Sequence, residues 1–404
     1  MKLCLLTEST YPYHVGGVST WTHTLLQGIP DVEVVLVPLC TSEVPRSPLW
    51  TLPPNVSTLC PMRVPNSLVP ADIMRWSEQA LSDLPRTDLT HALTAGVAGQ
   101  LGRALKAARG TPLLVTEHGI GWHELQHGAS ETETGFRPDA PTATTNSCVA
   151  EQAIEQTVHN LKHLARAVYE AADGITAVAW STREKQLTLG ADPTHSRVIP
   201  NGVGVSSHPP ALPKSPPFHV GFVGRLTPLK DVHTFLRACA RVHDALPETH
   251  FSVVGPPSDP AYAAQCHEWA RGLGLSDRLT FVGNERDMAK WYQRFDVVAL
   301  TSRSEAQPLA VLEAMAHARP VVVTDVGDCR RLVTGPNDVY GPAGEVCAPG
   351  DDKAIGAALL ALARTPRLRR DRSRASWLRV RAFHQRDQMT AAYRRLYTRL
   401  VSSD

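Results

Sequence analysis

No apolar run in this 404-residue chain approaches the roughly 20 residues that a membrane-crossing helix needs. The opening stretch MKLCLLTEST turns polar at Glu8, too soon for a secretory leader, and reads as a buried first strand. Net charge is only +2, so no global imbalance points to nucleic acid or to an acidic partner. The eight cysteines (Cys4, Cys40, Cys60, Cys148, Cys239, Cys266, Cys329 and Cys347) form no Cys-x-x-Cys and no His/Cys cluster at zinc spacing. Several lie in apolar segments, where a thiol behaves as a small hydrophobe, so reduced cysteines and a cytoplasmic setting are expected. No Gly-x-Gly-x-x-Gly follows an early strand, which argues against a nicotinamide dehydrogenase.

What the chain does have is a repeated α/β pattern. Hydrophobic residues make up 43% and charged residues 20%, as in ordinary globular proteins, and the length suits two domains of roughly 150–200 residues. Short β-branched runs at 3–7, 32–37, 113–116, 175–178 and 198–199 predict buried strands, with helices at 18–27, 99–108 and 148–172 between them. Residues 206–217 (SSHPPALPKSPP) carry five prolines in twelve residues and read as a linker. Beyond them the pattern restarts, with five strands expected at 220–223, 251–254, 279–282, 297–300 and 321–324. The division expected is therefore 1–205, the linker 206–217, a second domain 218–385, and a C-terminal helix 386–404 packing back on the first domain. Both domains are predicted to be α/β, Rossmann-like and doubly wound, facing an interdomain cleft, since such sheets bind ligands at the carboxyl ends of their strands. In the Arg-rich tail, Trp377, Leu378, Tyr393, Leu396 and Tyr397 are the expected packing positions. The polar segment 126–147 reads as a loop, placed to serve as a lid beside Glu117–Gly119.

The segment 304–327, SEAQPLAVLEAMAHARPVVVTDVG, carries most of the chemical information. Glu305 falls in a loop, Pro308 suits the first turn of a helix, and Glu313 lies in its early turns. A helix N-terminus favours an anion, and two carboxylates beside it can accept hydrogen bonds from sugar hydroxyls. In 222–231, FVGRLTPLKD, Gly224 closes a strand, and Arg225 and Lys230 follow in a loop suited to a pyrophosphate. Gly16 and Gly17, in TYPYHVGG, allow backbone amides to approach a ligand. Glu117 and His118 end a strand with a polar pair. Taken singly, each of these residues has an ordinary explanation as a solvated loop charge, a cap or a structural histidine.

Together they resemble the retaining glycosyltransferases of family 4, which have the GT-B fold. The carrying residues are VIPNGV (198–203), GRLTPLK (224–230) and the Glu305–Glu313 pair. The chain is most similar within that family to the PelF-like exopolysaccharide glycosyltransferases, through TESTYPYHVGGVSTW, TEHGI, FVGRLTPLKDVHTF and TDVGDCRRLV. It departs from them in a shorter N-terminal half and in GWHEL after TEHGI, which puts the acceptor rather than the donor in question. The resemblance implies a nucleotide diphosphate sugar as substrate, with no cofactor and no metal. Arg225 and Lys230 would hold the pyrophosphate next to Gly224, and Glu313 the ribose. Glu305 would approach the transferred sugar with the backbone amides of Gln307 and Leu309, in the turn that holds Pro308. Gly16 and Gly17 would lie near the donor phosphates. Glu117 and His118 would stand on the acceptor side, His118 beside the transferred sugar. Asn201 and Gly202 would shape the loop between the halves, and the base would pack near Gly255 and 282–286.

It further implies that His118, Glu305, Arg225 and Lys230 serve catalysis without a protein nucleophile. The departing diphosphate takes the acceptor's proton while attack occurs on the same face, and the protein positions the reactants and stabilises charge. Consistent with that, no Asp-x-Asp is present, and Asp351-Asp352 after Gly350 reads as a helix cap. The implied acceptor is a polysaccharide, lipid-linked or other glycan, and the implied setting is cytoplasmic, with peripheral association to a membrane polysaccharide complex. Two alternatives stay open at this point: a catalytically idle nucleotide-sugar-binding subunit, and a nucleotide-sugar epimerase of the same fold.

Overall fold

The computed structural model describes residues 1–41, 43–65, 67–127, 147–213, 217–335 and 338–402. Most of the lid segment expected at 126–147 lies outside these residues. The chain divides into two units, Met1–Asn201 with Arg386–Asp404, and Gly202–Gln385.

In the first unit, β1 (Lys2–Glu8) leads to α1 (Gly17–Gly28), β2 (Glu33–Cys40), β3 (Val56–Leu59), β4 (Met62–Arg63), α2 (Pro70–Ala80) and β5 (Leu89–Ala92). The chain continues through α3 (Val97–Arg109), β6 (Leu113–Glu117), α4 (Gly121–Gln126), α5 (Ser147–Ala171), β7 (Gly174–Ala177), α6 (Trp180–Thr188) and β8 (Ser196–Val198). The strands form one parallel sheet in the order β3-β2-β1-β5-β6-β7-β8, with β4 also pairing β2. Alternation along β1 sends Cys4 and Leu6 to one face and Leu3 and Leu5 to the other, so each face builds its own core. β3, β4 and β5 are additions to the five strands expected. β5 (LTHA) escaped the hydrophobic pattern because its His91, although fully buried, is polar.

The second unit runs β9 (His219–Val223), α7 (Val232–Ala245), β10 (His250–Val254), α8 (Pro260–Gly272), β11 (Leu279–Gly283), α9 (Met288–Arg294) and β12 (Val297–Leu300). It continues with α10 (Leu309–Ala316), β13 (Val321–Thr324), α11 (Cys329–Thr334), β14 (Gly344–Cys347), α12 (Asp352–Arg364) and α13 (Pro366–Phe383). These strands are parallel in the order β11-β10-β9-β12-β13-β14. A sixth strand, β14, therefore extends the five expected. Asp351 caps α12, its side chain accepting from the Ala354 amide at 2.9 Å.

The segments at the unit boundaries differ from the simple linker expected. Residues 202–205 group with the second unit, where the Val203 amide donates to the His384 carbonyl at 2.9 Å. The described part of 206–217 has no regular element, as its prolines dictate, yet it is strapped down. Arg319 donates to the Ala211 carbonyl at 2.5 Å, and Arg381 to that of Ser207 at 3.3 Å.

The last helix, α14 (Arg386–Val401), completes the first unit. Its Met389, Tyr393, Leu396 and Tyr397 are buried in the core that includes Trp21 and Leu25. Tyr397 shares a 2.8 Å hydrogen bond with His91 Nδ1, and His91 Nε2 shares a 2.6 Å bond with Thr116. In α13, Trp377 is buried and Leu378 is partly buried.

Candidate functional site

Strand order reverses between β9 and β12 in the second sheet, and the loops after those strands flank the crevice at their carboxyl ends. One loop carries Gly224, Arg225 and Lys230; the other carries Ser302, Glu305, Gln307 and Pro308. The two loops meet where Lys230 Nζ donates to Glu305 Oε1 at 2.5 Å. Ser302 Oγ donates to the same oxygen at 2.6 Å. The side chains of the pair are only 18% and 9% exposed, so removing either partner leaves a shielded charge uncompensated.

The loops are held by their neighbours. Asp231 adopts a left-handed conformation (φ 45°), caps α7 by accepting from the Thr234 amide at 3.2 Å, and takes a 2.9 Å hydrogen bond from Thr301 Oγ1 on its carbonyl. Gly327 has φ +53°, and a Cβ there would lie 2.1 Å from the Glu305 carbonyl oxygen. Only glycine lets the loop after β13 lie against the loop that presents Glu305. Gly255 does the same beside Gly224, where a Cβ would come within 2.0 Å of the Gly224 carbonyl oxygen.

Pro308 is the N-cap of α10 rather than part of its first turn, because its ψ of 120° is extended; the helix starts at Leu309. The helix directs its N-terminal amides and dipole towards the loop containing Glu305. Glu313, on the same helix, accepts from the Tyr292 hydroxyl at 2.8 Å, and burial pushes its carboxyl above the usual range. The Tyr292 ring stacks on His317 with centroids 5.1 Å apart. Glu313 is thus held at one rotamer by its surroundings.

The first sheet has its own reversal, between β1 and β5. A pocket opens there, partly open to solvent. Glu8 and Thr10 line it from β1 onward, Thr94 and Gly96 from the loop after β5, and Glu117, His118 and Trp122 from the end of β6 onward. Thr94 Oγ1 and the Ala98 amide each donate to Glu8 Oε1 at 2.5 Å, so the carboxyl sits against the start of α3. A Cβ on Gly96 would lie 3.1 Å from that oxygen.

Glu117 is pinned by the Tyr169 hydroxyl and by Gln186 Nε2 at 3.1 Å. Burial pushes its carboxyl up to about 7, against the hydrogen bonds that favour the ionised form. The His118 ring meets Trp21 edge-on, with centroids 4.4 Å apart. Burial lowers its pKa to about 3, which keeps the imidazole neutral. His118 Nε2 and Trp122 Nε1 are both buried without a hydrogen-bond partner.

The structure therefore gathers the sequence-derived residues into one group per unit. Gly224, Arg225, Lys230, Glu305, Gln307, Pro308, Leu309 and Glu313 lie on the carboxyl side of the second sheet. Glu117 and His118 line the pocket of the first. Gly16 is the N-cap of α1 and Gly17 its first residue; a Cβ on Gly16 would meet nothing within 4 Å, so packing within the unit does not demand glycine. Glu8, Gly96, Trp122 and Gly327 are the residues that sequence reasoning missed. For Glu8 the available signal was a carboxylate at the end of the first strand; for Trp122, an aromatic two residues after TEHGI.

Residues 217–365 match the family described as Glycosyl transferases group 1. Residues 1–81 and 70–194 match a domain of unknown function, DUF3492. D-inositol 3-phosphate glycosyltransferase 2 of Catenulispora acidiphila is 29% identical over 399 residues, covering 89% of this chain and 86% of its own. The lipopolysaccharide core biosynthesis mannosyltransferase LpsB of Rhizobium meliloti is 34% identical over 152 residues, covering 37% of this chain and 42% of its own. Among solved structures, sucrose-phosphate synthase of Thermosynechococcus elongatus superposes with TM-score 0.77 at 19% identity, covering 100% of both chains. Anabaena HepE, solved with UDP and glucose, gives 0.72 at 18% identity, covering 98% of this chain and 99% of that one. With residues 217–365 matching a group 1 glycosyl transferase domain over the site-bearing sheet, and with two parallel Rossmann-like sheets, the chain has the fold of the GT-B glycosyltransferases.

Proposed function

We propose that the chain is a retaining, metal-independent hexosyltransferase that uses a UDP-sugar, UDP-glucose or a near relative, to extend a polysaccharide, lipid-linked or other glycan. The observation that carries this reading is the Lys230–Glu305 contact, which joins the two separately recognised segments at the reversal of the second sheet. In this reading Lys230 exchanges Glu305 for the donor diphosphate, and Arg225 forks onto the same group. Glu305, released, accepts hydrogen bonds from the sugar. Glu313, steadied by Tyr292, accepts from the ribose hydroxyls. The amino end of α10 stabilises charge growing on the leaving phosphate. That phosphate then accepts the acceptor's proton, and neutral His118 donates to a sugar hydroxyl.

UDP is favoured because Anabaena HepE was solved with UDP and with UDP-glucose. Metal independence rests on the cationic Arg225 and Lys230 and on the absence of Asp-x-Asp from the sequence. A PelF-like role in exopolysaccharide synthesis rests on the N-terminal and C-terminal signatures together. Peripheral membrane association is supported by α13, where exposed Arg367, Arg370, Arg374 and Arg381 share one helical face. Among the described residues, no helix is long and apolar enough to cross a membrane. A cytoplasmic setting is supported by the free thiols of Cys4, Cys239, Cys266 and Cys329, all buried.

The test is product analysis with UDP-glucose and a panel of glycan acceptors in the presence of EDTA, reading the new anomeric centre by NMR. An α-linked product formed in chelator supports the proposal. A β-linked product overturns retention, and turnover abolished by chelator overturns metal independence.

A further inference from the structure

The lining of the first-unit pocket is chemically one-sided. Three carboxyl residues, Glu8, Glu117 and Glu124, line it, and among the described lining residues none is lysine or arginine. Lys162 stands over the Trp122 ring, 4.5 Å from its centroid, and is not part of the lining. The pocket's imidazole, His118, is held neutral by burial and so supplies no positive charge. Against this, His118 Nε2 and Trp122 Nε1 are buried and unpaired. A buried polar atom without a partner costs free energy until something satisfies it. The remaining wall is apolar, with Val18, Leu93 and Leu161 among its residues.

We propose that this pocket selects an uncharged, hydroxyl-bearing ring as the acceptor and rejects rings carrying phosphate or carboxylate. The proposal rests on the reading above that the first unit receives the acceptor. Hydroxyls suit both halves of the wall, because each can accept from Trp122 or His118 and donate to Glu8. An apolar ring face packs against the aliphatic side. A phosphate placed there loses its hydration shell, gains no cation from the described lining residues, and faces the carboxyl of Glu8. Like charges juxtaposed in a desolvated site cost several kcal/mol, which corresponds to a discrimination of at least about 100-fold. The similarity to D-inositol 3-phosphate glycosyltransferases therefore does not carry over to their phosphorylated acceptor.

The experiment uses the full chain with UDP-glucose and two pairs of probes. Methyl α-glucoside is compared with glucose 6-phosphate, and myo-inositol with inositol 3-phosphate. Saturation-transfer NMR reads probe binding, and UDP binding is titrated in the same samples. The expected result is binding of the neutral member of at least one pair, with its phosphorylated counterpart at least about 100-fold weaker. Trp122→Phe, which keeps an aromatic and removes the indole donor, is expected to weaken the neutral probe about 10-fold. Glu8→Gln is expected to narrow the ratio between the members of a pair. Equal or tighter binding of the phosphorylated member overturns the proposal, as does failure of both neutral probes to bind. Either result with UDP binding intact leaves the donor reading standing, whereas loss of UDP binding strikes the donor reading itself.

Discussion

In the proposed reading Lys230 exchanges Glu305 for a diphosphate, and that exchange makes the pair sensitive to substitution. Lys230→Met strands the Glu305 carboxylate in a partly shielded loop and removes a charge-assisted hydrogen bond of about 1.5–3 kcal/mol. The expected outcome is a loss of roughly 10- to 100-fold in kcat/KM for the UDP-sugar, measured in a coupled UDP-release assay. Glu117 offers an independent test through pH. Its carboxyl is raised from 4.5 to about 7 in the folded protein, so the folded state keeps a proton that the unfolded state gives up above pH 4.5. Stability therefore falls as pH rises from about 4.5 through about 7, by up to roughly 3 kcal/mol. Urea unfolding of wild type and Glu117→Gln at pH 5 and pH 8 isolates this effect, since other titrating groups contribute alike to both. The mutant is expected to lose less stability between the two pH values than the wild type, and equal losses would contradict the buried-proton account.

At the scale of elements, glycines and the last helix decide the geometry. Gly327→Ala forces a side chain to φ +53° and into the Glu305 carbonyl. It is expected to cost about 1–3 kcal/mol in chemical denaturation and to weaken nucleotide binding, because the loop it displaces carries Glu305. α14 closes the first core through a buried polar network as well as through packing. Tyr397→Phe leaves His91 Nδ1 buried without its 2.8 Å partner and is expected to lower unfolding free energy by about 1–3 kcal/mol. A change confined to a few tenths would mean that the network contributes little.

The same elements show what the amino-acid pattern made visible. β9, β12 and β13 are short β-branched runs buried on both faces, which is the signal parallel strands emit. β14 (GEVC) was hidden because close approach rather than hydrophobicity places it: a Cβ on Gly344 would lie 1.7 Å from the Val321 carbonyl oxygen. Glu305, Lys230 and Glu313 were legible because they occur in motifs with fixed spacing. Glu8 was not, because a carboxylate ending an apolar run looks like the strand's polar stop. Its partners Thr94 and Ala98 are about 90 residues away along the chain. Pairings at that separation exist only in the folded sheet.

For the whole molecule, one order reversal in each sheet accompanies one gathered group of candidate site side chains in each unit. The second unit holds the cations and the helix N-terminus that suit a diphosphate, and the first holds the neutral histidine and the carboxyls that suit hydroxyls. The central claim is that the Lys230–Glu305 crevice is a nucleotide-sugar diphosphate site. Its most direct test is the thermal shift of wild type and Lys230→Met with UDP, GDP, ADP and TDP, each with and without EDTA. A ligand at 100 times its Kd stabilises the folded state by about 2.7 kcal/mol, enough to raise the midpoint by a few degrees. The expected result is a chelator-insensitive rise with UDP that is lost in Lys230→Met. No rise with any nucleotide, or a rise that the mutant retains in full, would contradict the assignment.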